Sequence, residues 1–203
     1  MTNECIHQLD MTRIILGDPG MPKSVISYGG RILYDDQRDV PDFQTTIFDY
    51  GKFQINLRAG EFSPYMQKVP TDIRHSDTQF PEWKNLSTKV VIYGTKGMMV
   101  VGRMGGGWQV FGDDGKLVAE ETGLFPLQDH IRNFLDCVRT GETPNGDIRQ
   151  AHLSSALLHY ANMSYRLGSD KLIIDSETES VTNIEAARTM EKGTYRPGFE
   201  IVV

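Results

Sequence analysis

Three side chains near the start of the chain have the types and spacing for chemistry on a polyhydroxylated small molecule. Asn3, His7 and Asp10 lie four and three residues apart, so a helix would set a carboxamide, an imidazole and a carboxylate on one face. Imidazole titrates near neutral pH and can exchange a proton with a hydroxyl. The alternative is a hydrogen-bonded histidine packed beside Ile6. Asn3 can bond a hydroxyl but cannot serve as a base. Asp10 either holds the imidazole or caps nearby backbone groups. Arg13 can reach a ligand, neutralise a carboxylate or ride a solvated helix face.

Other candidate chemistry is weaker. His7 and Asp10 could start a metal site, but the sequence places no third ligand beside them. His152 and His159 are seven residues apart and flank the stripe of a long helix. Cys5 has no lysine or arginine close by to lower its pKa, which argues against a nucleophile. Cys137 reads as a small buried hydrophobe. Two distant cysteines make no disulfide scaffold, so a reducing, cytoplasmic setting is the expectation.

The elements that must position these groups follow from periodicity and punctuation. A helix is expected over residues 3–16, closed by Gly17. Strand patterns cover 23–34, where Gly29-Gly30 marks a bulge or a close backbone approach, and 43–50 and 52–59, which form a hairpin about Asp49-Tyr50-Gly51. Residues 60–86 carry little periodicity; their aromatics Phe62, Tyr65, Phe80 and Trp83 either cover a ligand or, the preferred reading, anchor the segment. Strands resume at 90–93, 98–101, 108–111 and 117–119 with glycine turns between them. A helix over 126–140 puts Ile131, Phe134, Leu135 and Val138 on one stripe, and another over 147–167 stripes Leu153, Ala156, Leu157, Tyr160 and Ala161. A short strand at 172–174, a helix capped by Asn183 and an extended end at 199–203 complete the order. This is an α+β pattern: an open, mostly antiparallel β-sheet with helices packed on one face, read as a single domain over residues 1–203.

Composition narrows the classes. The 203 residues are 39% hydrophobic and 24% charged, with a formal charge of -6. That is ordinary for a soluble domain and unlike a nucleic-acid surface. No apolar stretch approaches the ~20 residues that span a bilayer.

Several motifs, in order, then resemble one family. They are Asn3-x-x-x-His7-Gln-Leu-Asp10, Ser27-Tyr-Gly-Gly30, Tyr93-Gly-Thr-Lys-Gly97, Asn133-Phe-Leu-Asp-Cys-Val-Arg139 and Asn145-x-Asp147. His152-Leu-Ser-Ser155, Asn162-Met-Ser-Tyr-Arg-Leu-Gly168 and Tyr195-Arg-Pro197 follow. Together they resemble the C-terminal domain of the glucose–fructose oxidoreductase/inositol dehydrogenase (Gfo/Idh/MocA) family. The resemblance departs at Asn3, where an acid is frequent, and at Cys5, where glycine is usual. It implies a dihydrodipicolinate-reductase-like domain for substrate binding and oligomerisation, with His7 as the proton-exchanging residue and Asn3, Asp10 and Arg13 at the substrate. It also implies a homo-oligomer, dimer or tetramer, through the sheet. The substrate class is a sugar, cyclitol or related polyol, and NAD or NADP would be held by a Rossmann domain in cis or in trans. That domain's G-x-G-x-x-G and the family's Glu-Lys-Pro are missing here; Gly102-Arg-Met-Gly105-Gly-Gly107 has no βαβ setting. Alone, the chain is not expected to bind the dinucleotide or run hydride transfer. The alternative is a stand-alone module for carbohydrate binding or self-association on the same scaffold.

Overall fold

The computed structural model describes residues 1–60 and 67–200. In chain order the elements are helix α1 (Thr2–Ile15), strands β1 (Ser24–Gly30), β2 (Phe43–Asp49) and β3 (Gln54–Gly60), and the single-turn helix α2 (Thr71–Arg74). Strands β4 (Lys89–Gly94), β5 (Gly97–Gly102), β6 (Trp108–Gly112) and β7 (Leu117–Glu121) follow. Helices α3 (Leu127–Thr140) and α4 (Ile148–Arg166), strands β8 (Leu172–Asp175) and β9 (Ser180–Val181), and helix α5 (Glu185–Lys192) close the chain. The antiparallel pattern is as expected, but it forms two sheets, and the chain divides into two compact units.

The first unit carries the order β3-β2-β1-β8-β9. Alternation sends Val25, Phe48 and Ile55 to the same side, since they pair directly across the three strands. Leu57, Leu172, Ile174 and Val181 join them in the core. Leu153, Leu157, Leu158, Tyr160 and Ala161 of α4, with Cys5 and Leu9 of α1, pack into the same cluster. Gly29 marks a close backbone approach: a Cβ there would come within 2.5 Å of the Phe43 carbonyl oxygen.

One polar seam crosses this core. Strand β8 pairs with β1 only at Ser24 and Val25, so the next inward-facing amide, that of Ser27, has no strand partner on that side. Ser164 of α4 replaces the strand: its Oγ accepts from Ser27 N at 2.9 Å and donates to the Asp170 carbonyl at 2.7 Å. Ser27 Oγ lies 2.8 Å from Thr46 Oγ1, and Gln44 Nε2 donates to Ser27 Oγ at 2.9 Å. Ser27, Gln44, Thr46 and Ser164 are all buried, and these bonds offset much of the cost of desolvating them.

Local endings differ from the sequence reading in places. Helix α5 begins at Glu185 without a side-chain cap. Asn183 instead ties down β8, accepting from Ile173 N at 2.9 Å and donating to the Lys171 carbonyl at 2.8 Å. A turn at residues 197–198 leads into the expected extended end, with Phe199 N donating to the Arg196 carbonyl at 3.0 Å; residues 201–203 lie outside the described residues.

The second unit is a four-stranded meander, β4-β5-β6-β7. Among its described residues, Val69, Leu86, Val90, Val100 and Val101 are buried. Trp83 anchors the preceding segment by donating from Nε1 to Gln109 Oε1 at 2.6 Å, in line with the anchoring reading; Phe62 and Tyr65 fall outside the described residues. Helix α3 departs from expectation. Its stripe was expected to face a core, yet none of its residues is buried, and Ile131, Phe134, Leu135 and Val138 are all exposed. Periodicity makes a helix amphipathic without guaranteeing cover for its apolar side. Cys137 is half-buried rather than buried. Asn133 secures the following loop by accepting from Asn145 N at 2.9 Å.

Candidate functional site

Helix α1 carries the candidate chemistry. It ends where Gly17 takes a φ of 81°, with Asp18 N donating to the Arg13 carbonyl at 2.8 Å, the usual way for glycine to stop a helix. Leu9 and Cys5 face the core. With about 3.6 residues per turn, Asn3, His7 and Asp10 fall on one strip displaced from that buried line. Asn3 and His7 are exposed, and Asp10 is half-buried.

Arg13 is placed differently. It is 0% exposed. Its Nη1 donates to Ser154 Oγ on α4 at 2.6 Å, and Nη2 donates to the Pro19 carbonyl at 3.1 Å. Tyr50 lies against the same guanidinium: burial pushes its hydroxyl up to about 12, and the positive charge of Arg13 partly opposes that rise. Arg13 therefore binds α1 to α4 and to the turn that follows α1 from a fully buried position.

Helices α1 and α4 share a shallow cleft of about 90 Å³ lined by Thr2, Ile6, Ser155, Leu158 and His159. His159 is exposed at its edge. His152, about two turns back on the same face, is engaged elsewhere: its Nε2 is 2.7 Å from Glu179 Oε2. Among the described residues no group of three or more His, Cys, Asp or Glu side chains is placed to hold a metal ion. None of the described helices is long and apolar enough to cross a membrane.

The glycines at 105–107 do not fit a dinucleotide. They take positive φ values in the turn from β5 to β6, and a Cβ at Gly107 would sit 2.0 Å from the Glu121 carbonyl oxygen. They allow strand backbones to close together, whereas a pyrophosphate cradle needs a strand leading into a helix N-terminus.

Sequence reasoning missed two features. Ser154 and Ser164 lie inside quoted motifs, yet nothing in their spacing reveals that each answers a buried donor. Asp42 organises the loop after β1: its carboxylate accepts from the amides of Ile32 (2.9 Å), Leu33 (2.7 Å) and Tyr34 (3.0 Å). Burial acts to raise its pKa, but these donors outweigh burial and hold the carboxyl below its usual range. An acid eight to ten residues beyond three exposed apolar positions gives no local signal of that role.

What the arrangement offers chemically is an exposed imidazole and, on the same helix, an exposed carboxamide, with that helix pinned from within. It can donate or accept one proton at a hydroxyl laid along the helix.

By sequence, no protein-family model matches the chain, and no curated protein does. By structure it is similar to several oxidoreductases. UDP-N-acetylglucosamine 3-dehydrogenase GnnA from Acidithiobacillus ferrooxidans superposes with a TM-score of 0.58 at 14% identity, over 82% of this chain and 47% of that one. The WlbA dehydrogenase from Bordetella pertussis, solved with NADH and UDP-GlcNAcA, gives a TM-score of 0.53 at 17% identity, over 85% and 44%. An oxidoreductase from Bacillus cereus gives 0.54 at 12%, over 84% and 49%. The chain spans about half the length of the solved structures it matches.

Proposed function

For a chain with the fold of the C-terminal portion of Gfo/Idh/MocA-type oxidoreductases, we propose the role of substrate-binding and oligomerisation domain in an NAD(P)-dependent enzyme. The substrate is a sugar, cyclitol or related polyol, and the enzyme works in the cytoplasm. The dinucleotide belongs to a Rossmann half supplied in cis or in trans, since the glycines here do not fit it. His7 exchanges the proton of the reacting hydroxyl. Asn3 and Asp10 bond neighbouring hydroxyls, and Arg13 contributes by holding α1 from inside.

The observation that carries this reading is the two-sidedness of α1. Leu9 and Arg13 are fully buried, while His7 and Asn3 are exposed on the same helix. A helix fixed on one side and polar on the other presents its imidazole in a constant place. Self-association is supported by the meander. Strand pairing puts Ile92, Met99 and Val110 in one row and Tyr93, Met98 and Phe111 in another. Neighbouring rows point to opposite faces, so both faces carry apolar side chains. A homodimer or homotetramer through the sheet would cover one of them.

The test begins with the DNA upstream of the Met1 codon. A frame encoding a strand–G-x-G-x-x-G–helix start gives the complete enzyme. There, His7→Ala should lower kcat by about 10²–10⁴-fold, the span of general acid–base catalysis, and leave the dissociation constant for NADH unchanged. Turnover that survives the substitution would overturn the assignment of His7.

A further inference from the structure

We propose that Arg13 is a positioning residue: from inside the first unit it sets the rotation of α1 about its own axis, and so the place where His7 is presented. The inference rests on the reading of His7 given above.

The argument starts from how little apolar surface keys α1. Only Cys5 and Leu9 are its buried apolar residues, with Met1, Ile6 and Leu16 partly buried against the same cluster. Apolar contact is non-directional, so a narrow stripe resists separation better than rotation. The Arg13 fork is directional. Its two Nη atoms reach different bodies, Ser154 Oγ on α4 at 2.6 Å and the Pro19 carbonyl beyond the end of α1 at 3.1 Å. A planar guanidinium satisfies both in one orientation, and a lysine ammonium, a single point donor, cannot copy the fork.

The lever is long enough to matter. Backbone Cα atoms lie about 2.3 Å from the helix axis and an imidazole nitrogen roughly 6 Å, so a rotation of about 20° carries that nitrogen ~2 Å. A misplacement of ~1 Å is enough to cost about 10²-fold in rate. Arg13 lies six positions after His7 and on a different side of the helix, so it governs the imidazole without touching it.

The experiment reads rotation directly in the 203-residue chain. Residual dipolar couplings of backbone amides oscillate along a helix, and their phase reports its rotation. The phase in α1 is compared with that in residues 152–166 of α4. Ser154→Ala removes one arm's partner and leaves the charge in place; Arg13→Lys removes the fork. Both should shift the α1 phase by about 20° or more, the rotation that carries the imidazole nitrogen ~2 Å. Ser154→Thr, which keeps the hydroxyl, should restore the phase. Ser164→Ala serves as the comparison, because it weakens the same core without touching Arg13 and should leave the phase alone. An unshifted phase in folded Ser154→Ala overturns the proposal, as does an equal shift in Ser164→Ala. If Arg13→Lys does not fold, Ser154→Ala and its threonine rescue decide the matter. Failure of the His7 assignment is separate: turnover that survives His7→Ala removes the catalytic role and leaves a measured phase shift intact.

Discussion

Replacing Ser164 with alanine tests whether a side chain really completes the β1 ladder where β8 stops. The substitution removes one oxygen and creates almost no cavity, so packing contributes little to the effect. Ser27 N, which donates to Ser164 Oγ at 2.9 Å, is left in a residue that is 0% exposed. Water cannot reach it without opening the sheet. An orphaned buried donor costs about 1–3 kcal/mol. The other bond, to the Asp170 carbonyl, adds little, because Asp170 is exposed and its oxygen can turn to water. The expected loss is therefore ~2 kcal/mol. With a urea slope of about 2 kcal/mol/M, the midpoint should fall by roughly 1 M with no change in slope. Amide exchange at Ser27 should accelerate beyond the global change, because its acceptor is gone. The same substitution at exposed Ser176 should stay within about 0.5 kcal/mol. A loss below that bound at Ser164, with Ser27 still protected, would refute the reasoning.

Two further expectations concern pH. Asp42 has its carboxyl held below its ordinary value of 3.8, so its contribution to the loop at residues 31–41 is fully present above about pH 4 and disappears as pH falls through the lowered value. Amide shifts of Ile32, Leu33 and Tyr34 should move together in that acidic window, and Asp42→Asn should abolish the shared transition. Burial pushes Tyr50 to about 12, and burial, with the Glu191 and Glu179 carboxylates adding to the rise, pushes Tyr160 to about 12. Stability from these two is intact below pH 10 and is lost as pH rises from 10 through 12. A spectroscopic titration should show two phenols ionising only as the chain unfolds; two that titrate reversibly near pH 10 in the folded chain would contradict their burial.

Legibility from sequence varied with how local the cause was. The stripe of α4 and the alternation in β1–β3 were readable because side-chain period alone decides which residues face inward. The partition into two sheets was not readable, since alternation says that a strand is half-buried and not which strands it joins. The α3 stripe had a helical period without a core to fill. Asn183 looked like a helix cap, and its amide instead satisfies Lys171 and Ile173. At the candidate site, the helix that spacing suggested over His7 and Asn3 is present, but spacing could not turn Arg13 inward. That placement depends on Ser154, 141 residues away, a contact that exists only once the chain has folded.

The shape of the α1 surface bears on which kind of ligand site it is. A module that holds a small molecule by itself encloses it, and such pockets run to about 300–1,000 Å³. The cleft shared by α1 and α4 is about 90 Å³, a fraction of that, and His7 stands exposed beside it. A sugar laid there would keep most of its hydroxyls in water and gain little over solvation, because surface hydrogen bonds exchange protein partners for water at small net advantage. Acid–base chemistry makes a different demand. It needs an imidazole held at a fixed point, with the remaining walls supplied by whatever closes over it. Leu9 and the bond from Arg13 to Ser154 of α4 supply that fixity, and an open shelf leaves room for the second wall. In the function proposed above, α1 is therefore half of an active site and not a complete binding pocket. A sugar or cyclitol should accordingly bind the isolated chain in the millimolar range or weaker, and tighten when the Rossmann half is present. Micromolar binding by the isolated chain in calorimetry would turn the argument toward the stand-alone module.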